Sequence, residues 1–238
     1  MCGRYASTRS AADLADLFEA LDEVEGELAP DYNVAPTDPV PVVRRSARVT
    51  ESVLSVARWG LVPAWALDTS GAARMINARA ETVASSRAFA VPFAQRRCLV
   101  PADGWYEWRR HSEGKQAYFM TRTDGSVLAF GGIWSAWSAG STRVLTFSVV
   151  TLPAEGALSQ VHDRMPLVLE PSRWQAWLTS SQPTGLLAPA APGYLEGIEL
   201  RPVSPAVGDV RNDGPDLVRA VRPAAALTSI VDPPATLF

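Results

Sequence analysis

Cysteine is scarce in this chain of 238 residues: only Cys2 and Cys98 occur, and His111 and His162 are the two histidines. Two thiols are too few for a disulfide framework, and with two imidazoles they leave little from which to build a zinc cluster. No apolar run approaches the roughly 18 residues that a membrane-spanning helix needs. The Met-Cys-Gly-Arg-Tyr start has no hydrophobic stretch behind a basic residue, so no secretory leader is expected and the chain reads as cytoplasmic. Lysine is nearly missing too: of the 22 basic residues, all but Lys115 are arginine. Repeats, low-complexity tracts and Gly/Ser linkers are absent from the chain, which favours one domain over an array.

The composition is 47% hydrophobic and 20% charged, enough apolar surface to offset the entropy of ordering and so to exclude disorder. The net charge of -3 conceals an asymmetry. Residues 13–31 carry eight acids and no base, whereas residues 44–164 carry fifteen basic side chains against nine acidic ones. Arginine forks match phosphate oxygens. A local basic face follows; a polycation that binds any anion does not.

Leu14, Leu17, Phe18 and Leu21 follow a helical spacing with Ser10 as N-cap, and a second helix is predicted over 172–179. Short β-branched or aromatic runs predict strands at 40–44, 53–59, 97–100, 118–122, 127–130, 144–150 and 166–169. Nineteen scattered prolines suit short strands and irregular loops. The expected fold is α+β: a single domain of curved, mostly antiparallel, barrel-like β-sheets flanked by a few helices.

Cys2 is the first residue to weigh for chemistry. Removal of Met1 would leave an α-amine and a thiol on adjacent carbons, with ordinary pKa values of about 7.7–8.0 and 8.5. Such a pair condenses with an aldehyde to an imine, and the sulfur then closes a five-membered thiazolidine ring. The plain alternative is an ordinary second residue. Gly3 removes bulk beside the nucleophile, and Arg4 is a cation that would favour the thiolate. In Asp103-Gly104-Trp105-Tyr106-Glu107-Trp108 an acid between aromatics is desolvated toward a useful pKa, unless Glu107 points to solvent. His162 stands before an Asp-Arg pair and a buried strand, either as an acid/base or as a structural residue, while His111 reads as exposed loop. In the 75–82 segment Asn77 can orient a ligand oxygen, and Arg79 and Arg87 can hold phosphates; the alternative is a capped helix start. The turns around Pro36 and Trp65 are either core or a stacking platform for single-stranded bases.

Taken in order, the blocks Met1-Cys2-Gly3-Arg4-Tyr5, Tyr32-Asn33-Val34-Ala35-Pro36, Trp59-Gly60-Leu61-Val62-Pro63, Asn77-Ala78-Arg79-Ala80-Glu81-Thr82, the 98–108 run and His162-Asp163-Arg164-Met165-Pro166-Leu167 resemble the SOS-response-associated peptidase family. A late block, 203–208 with 212–214, also fits. The resemblance spans residues 1–222 and leaves 223–238 as a C-terminal tail. It implies a monomer without cofactor or metal, free of membranes and nucleoid-associated in a bacterium. Such a protein recognises abasic sites in single-stranded DNA and links to them through Cys2. Asn77, Glu107 and His162 take the family's active-site positions. Arg4, Arg79, Arg87 and Arg164 take its phosphate contacts, Thr151 a DNA contact, and Pro36 and Trp65 its strand-splaying wedge. Glu155 stands where many members carry Asn, which leaves that position without a role. Two other readings remain open at this level: a cysteine peptidase that removes its own Met1, and a non-covalent reader of modified or single-stranded DNA.

Overall fold

The structure, a computed structural model, describes residues 2–24, 28–46, 49–112 and 114–222. The predicted tail, 223–238, lies outside the described residues. The chain opens with β1 (Tyr5–Ser7), α1 (Ala11–Leu17), β2 (Ala20–Asp22), β3 (Asp31–Val34), β4 (Pro39–Arg45) and β5 (Ser52–Trp59). It continues through β6 (Asn77–Arg79), α2 (Ala80–Val83), α3 (Ala90–Gln95) and β7 (Arg97–Ala102). Two hairpins follow, β8 (Gly104–His111) with β9 (Gly114–Arg122), and β10 (Leu128–Ala139) with β11 (Thr142–Pro153). Then come β12 (Arg164–Pro166), β13 (Val168–Leu169), α4 (Pro171–Thr179), α5 (Pro192–Glu196) and β14 (Ile198–Val203).

Strands β5, β4, β7, β10 and β11 pair antiparallel in that order, and β11 returns to β5 in parallel at Thr146–Arg58 and Phe147–Trp59. That seam closes a five-stranded barrel, which removes its sheet edges. Trp59, Leu99, Phe130 and Phe147 are all buried in the main core. A second sheet, ordered β14-β9-β8-β1-β3, packs beside it. Tyr5 of β1 joins the two, its ring edge-on to Trp59 at 5.1 Å and to Phe130 at 6.2 Å. The architecture is the expected α+β arrangement of curved, mostly antiparallel sheets.

Local expectations needed correction where packing overrode pattern. The first helix keeps its Ser10 cap, which accepts the Asp13 N–H at 3.1 Å, but ends at Leu17. Glu19 adopts a φ of 50°, and the chain turns into β2 beside β5. Leu14 and Phe18 are buried while Leu17 and Leu21 stay half exposed, so the stripe is only partly used. The 127–130 strand runs on to Ala139 through Gly131-Gly132, which reads as a break in sequence. Both glycines are there for contact: a Cβ would stand 2.8 Å from the Leu167 side chain at Gly131 and 2.8 Å from Cys98 Sγ at Gly132. The 166–169 run divides between β12, on β11, and β13, on β10. Within the 75–82 segment, residues 77–79 form a strand parallel to β11, and a helix does start directly after it at Ala80, without a side-chain cap. His111 closes β8 and is partly buried rather than an exposed loop residue.

One charge holds two helix ends. Buried Arg97 donates from Nε to Trp177 O (2.5 Å), from Nη1 to Phe93 O and Ala94 O (2.8 Å each), and from Nη2 to Ser180 O (2.5 Å). These carbonyls end α3 and α4, where intrahelical partners run out and the dipole favours a cation. Arg97→Met should therefore lower stability by about 3 kcal/mol or more, because several buried carbonyls lose their donor at once. Denaturant unfolding of the two proteins, compared by midpoint at unchanged slope, measures it.

Candidate functional site

Cys2 lies just before β1, which runs between β3 and β8. Tyr5 pairs with Trp105, and the Tyr106 amide donates to Arg4 O at 2.9 Å, so Glu107 follows along β8 close to the start of the chain. Strand alternation sets Glu107 on the same face as buried Trp105, and Glu107 itself is only 3% exposed. The solvent-facing alternative for this carboxylate is thereby excluded.

Cys2 is fully buried, and its carbonyl accepts a hydrogen bond from Asn77 Nδ2 at 2.7 Å. Asn77 starts β6, which lies in parallel on β11 with Asn77 opposite Val149. Its Oδ1 is buried and has no hydrogen-bond partner among the described residues, leaving an acceptor beside Cys2. Burial pushes the Cys2 thiol far above its ordinary pKa, and the neighbouring Glu107 charge adds to this. The thiol is therefore protonated and needs a base. Arg4 does not supply the expected activating charge: its Nη1 donates to Asn33 Oδ1 (2.8 Å) and to Val207 O (3.0 Å). Burial also raises Glu107 to about 7, with Asp163 contributing in the same direction. A carboxyl poised there exchanges a proton readily at neutral pH.

Asp163, whose charge acts on Glu107, is also the neighbour and ion-pair partner of His162. The imidazole follows a 3-10 turn over 156–160 and stands at the rim, 27% exposed at its side chain. Its Nδ1 lies 2.9 Å from the Arg164 amide nitrogen and 2.8 Å from Asp163 Oδ1. One nitrogen cannot accept from the first and donate to the second at once. When the Arg164 N–H donates to Nδ1, the ring proton sits on Nε2; when Nδ1–H donates to Asp163, Nε2 is a base. Burial lowers the imidazole pKa against the opposing pull of Asp163, which favours the neutral ring at pH 7.

The arginines divide into two kinds. Arg79, at the end of β6, is exposed with no protein hydrogen bond among the described residues, and exposed Arg87 stacks over Trp65 at 4.5 Å. Trp65 is 55% and Leu67 96% exposed, an unusual display of apolar surface beside a groove lined by Pro63, Arg74 and Met75. Arg164 is instead held by the Glu81 carboxylate and by Thr151 O at 2.6 Å. Thr151 is fully buried with its Oγ1 3.3 Å from Arg164 Nη2, so it meets the site through that guanidinium. Pro36 is part-buried in a turn locked by Ala35 N–H to Asp38 Oδ2 (2.8 Å) and Thr37 N–H to Trp59 O (2.8 Å), with Thr37 at a φ of 80°. Glu155 is exposed beside an apolar cavity against α5, lined by Leu158, Leu195 and Ile198.

Two side chains that residue type alone does not single out hold the arginines of this region. Glu81 pairs with Arg164. Asn33 is a buried latch that receives Arg4 and donates to Asp209 O (3.0 Å) and Asn212 O (2.8 Å), which explains why the 203–214 block belongs with the site. Among the described residues, no three His, Cys, Asp or Glu side chains gather into a cluster able to hold a metal ion, and no helix is long and apolar enough to cross a membrane.

A model of the SOS response associated peptidase family matches residues 1–210. The chain belongs to that family. Relatives of the chain include "abasic site processing protein YoaM" of Bacillus subtilis, 32% identical over 226 residues that cover 92% of this chain and 98% of that one. YedK of Escherichia coli, bearing the same description, is 32% identical over 230 residues, covering 93% and 100%. HMCES of Gallus gallus, also so described, is 30% identical over 262 residues, covering 91% of this chain and 76% of its own. In fold, a crystal structure of a protein from Bacteroides thetaiotaomicron superposes with a TM-score of 0.80 at 22% identity, covering 93% of this chain and all of that one.

Proposed function

We propose that this protein recognises abasic sites in single-stranded DNA and, once Met1 is removed, links to them through a thiazolidine built on Cys2. The observation that carries the reading is a fully buried Cys2 whose carbonyl is held by Asn77, beside a Glu107 that is itself buried, which raises its carboxyl to about 7. Relatives described as abasic site processing proteins over nearly the whole chain support the substrate class.

The abasic sugar rests mostly as a cyclic hemiacetal. His162 takes the proton from the C1′ hydroxyl and returns one to the ring oxygen, opening the sugar to an aldehyde. Glu107 receives the proton of the Cys2 ammonium, and the freed amine adds to the aldehyde carbon. Glu107 returns its proton to the departing hydroxyl, so water leaves and the nitrogen stays protonated as an iminium. The Cys2 thiol, protonated at rest, then gives its proton to Glu107 as sulfur bonds to the same carbon, and the ring nitrogen is left as a neutral amine. Starting from the ammonium, the sum is one water lost and one proton released through Glu107, with no oxidant used. Asn77 Oδ1 accepts from the amine or a sugar hydroxyl during these steps. Arg79 and Arg87 hold flanking phosphates, raising the effective concentration of the aldehyde at the amine. Pro36 and Trp65 part the neighbouring bases, all within a domain that spans residues 1–222.

Mass spectrometry after incubation with a synthetic abasic single-stranded oligonucleotide tests this. The expected product weighs the sum of the oligonucleotide and the chain lacking Met1, less one water. A protein that keeps Met1 and forms no such species would overturn the reading.

A further inference from the structure

Glu81 has no step in the chemistry above, yet its carboxylate is built into the site. Arg164 Nη1 donates to Glu81 Oε1, and Nη2 donates to Oε2 at 3.0 Å and to Thr151 O at 2.6 Å. Arg164 Nε is buried without a partner among the described residues, and the side chain is only 12% exposed. A guanidinium gripped at both ends of its fork, with its third edge enclosed, has little freedom to turn.

The elements that this grip joins are the two arms of the site. Glu81 lies on α2, four residues beyond Asn77, and Arg164 opens β12, two residues beyond His162. β6 and β12 flank β11, with Arg79 and Pro166 both opposite Thr151. Each is a three-residue strand with three register pairs, short enough that ladder hydrogen bonds alone fix it weakly. The Glu81–Arg164–Thr151 contacts tie the two outer strands across the middle one.

We propose that Glu81 is a positioning residue, its ion pair with Arg164 locking the Asn77 arm to the His162 arm so that both side chains meet the opened sugar together. The proposal rests on the abasic-site reading. An isolated surface pair would contribute little, but this one is bidentate and backed by a backbone carbonyl. Its rival is a gate, in which Glu81 occupies Arg164 until a DNA phosphate displaces it. Loss of Glu81 should slow the reaction at nearly unchanged DNA binding if it is a lock, and tighten DNA binding at undiminished rate if it is a gate.

Adduct formation by wild type, Glu81→Gln and Glu81→Ala is followed against the concentration of an abasic single-stranded oligonucleotide, giving a maximal rate and a half-saturating concentration. Melting temperatures report whether each variant is folded. Misplacing reacting groups by about 1 Å costs up to about a hundredfold, so Glu81→Ala should lose on that order in maximal rate with little change in half-saturation. Glu81→Gln keeps the shape and one acceptor but not the charge, and should lose about tenfold; it carries the test if the alanine variant does not fold. Maximal rates equal to wild type in the folded variants would overturn the proposal. So would a lower half-saturating concentration at undiminished rate, which marks a gate. Absence of any adduct with wild type would defeat the abasic-site reading itself, and the proposal with it, and that failure is read from the wild type alone.

Discussion

Glu107→Gln is expected to slow adduct formation by about 10²–10⁴-fold while making the protein more stable above neutral pH. The loss follows because the amide cannot accept the proton of the Cys2 ammonium or relay that of the buried thiol. The gain follows from burial, which lifts this carboxyl from its ordinary 4.5 to about 7. Between those values the unfolded chain ionises the group while the folded chain holds its proton. Folding stability therefore falls as pH rises through this window, and the deficit is complete above about 7. Glutamine removes it, by an amount on the order of 2 kcal/mol. Thermal or denaturant unfolding at pH 4.5 and at pH 8 checks the sign: the variant should gain over wild type only at the higher pH. An equal gain at both would point to packing rather than charge. A group kept at a cost to stability and needed for proton transfer is the pattern of a functional residue.

Cys2→Ala should change the product rather than merely its rate. The variant exposes an α-amine as wild type does once Met1 is gone, so an imine with the abasic aldehyde still forms. Without sulfur there is no ring closure, and the stable adduct is lost altogether. The imine then acidifies the adjacent sugar carbon, and β-elimination cleaves the strand. Denaturing gels should show no heat-stable conjugate, a borohydride-trapped conjugate in its place, and more nicked oligonucleotide than wild type gives. A heat-stable conjugate persisting in Cys2→Ala would remove the thiol from the mechanism.

Unusual residue types marked the candidates for the site: Cys2 at the second position, Glu107 among aromatics and the nearly lone His162, with Asn77 added by its block. The strands built from β-branched runs, such as β4 and β5, appear within a residue or two of expectation. What could not be read was anything that depends on a distant partner. The strand predicted over 127–130 stops short at Gly131-Gly132 because the Leu167 and Cys98 side chains that require small residues there are remote in sequence. Leu21 fits a helical stripe because nothing local announces the turn at Glu19. The arginines are alike in sequence, and their division into exposed ones and ones held by hydrogen bonds required Asn33, Glu81 and Thr151 to be brought beside Arg4 and Arg164.

Composition, patterning and motif order by themselves determined the fold class, the family resemblance and the set of side chains able to do aldehyde chemistry, because these depend on residue identity and local periodicity. Tertiary structure alone decided which of those groups are buried and which stand together. Enclosing Cys2 and Glu107 in a low-dielectric site raises both pKa values, keeping the thiol protonated and lifting the carboxyl to about 7. Burial and charge proximity are properties of three-dimensional neighbours, and only the closed barrel and its companion sheet bring those neighbours together.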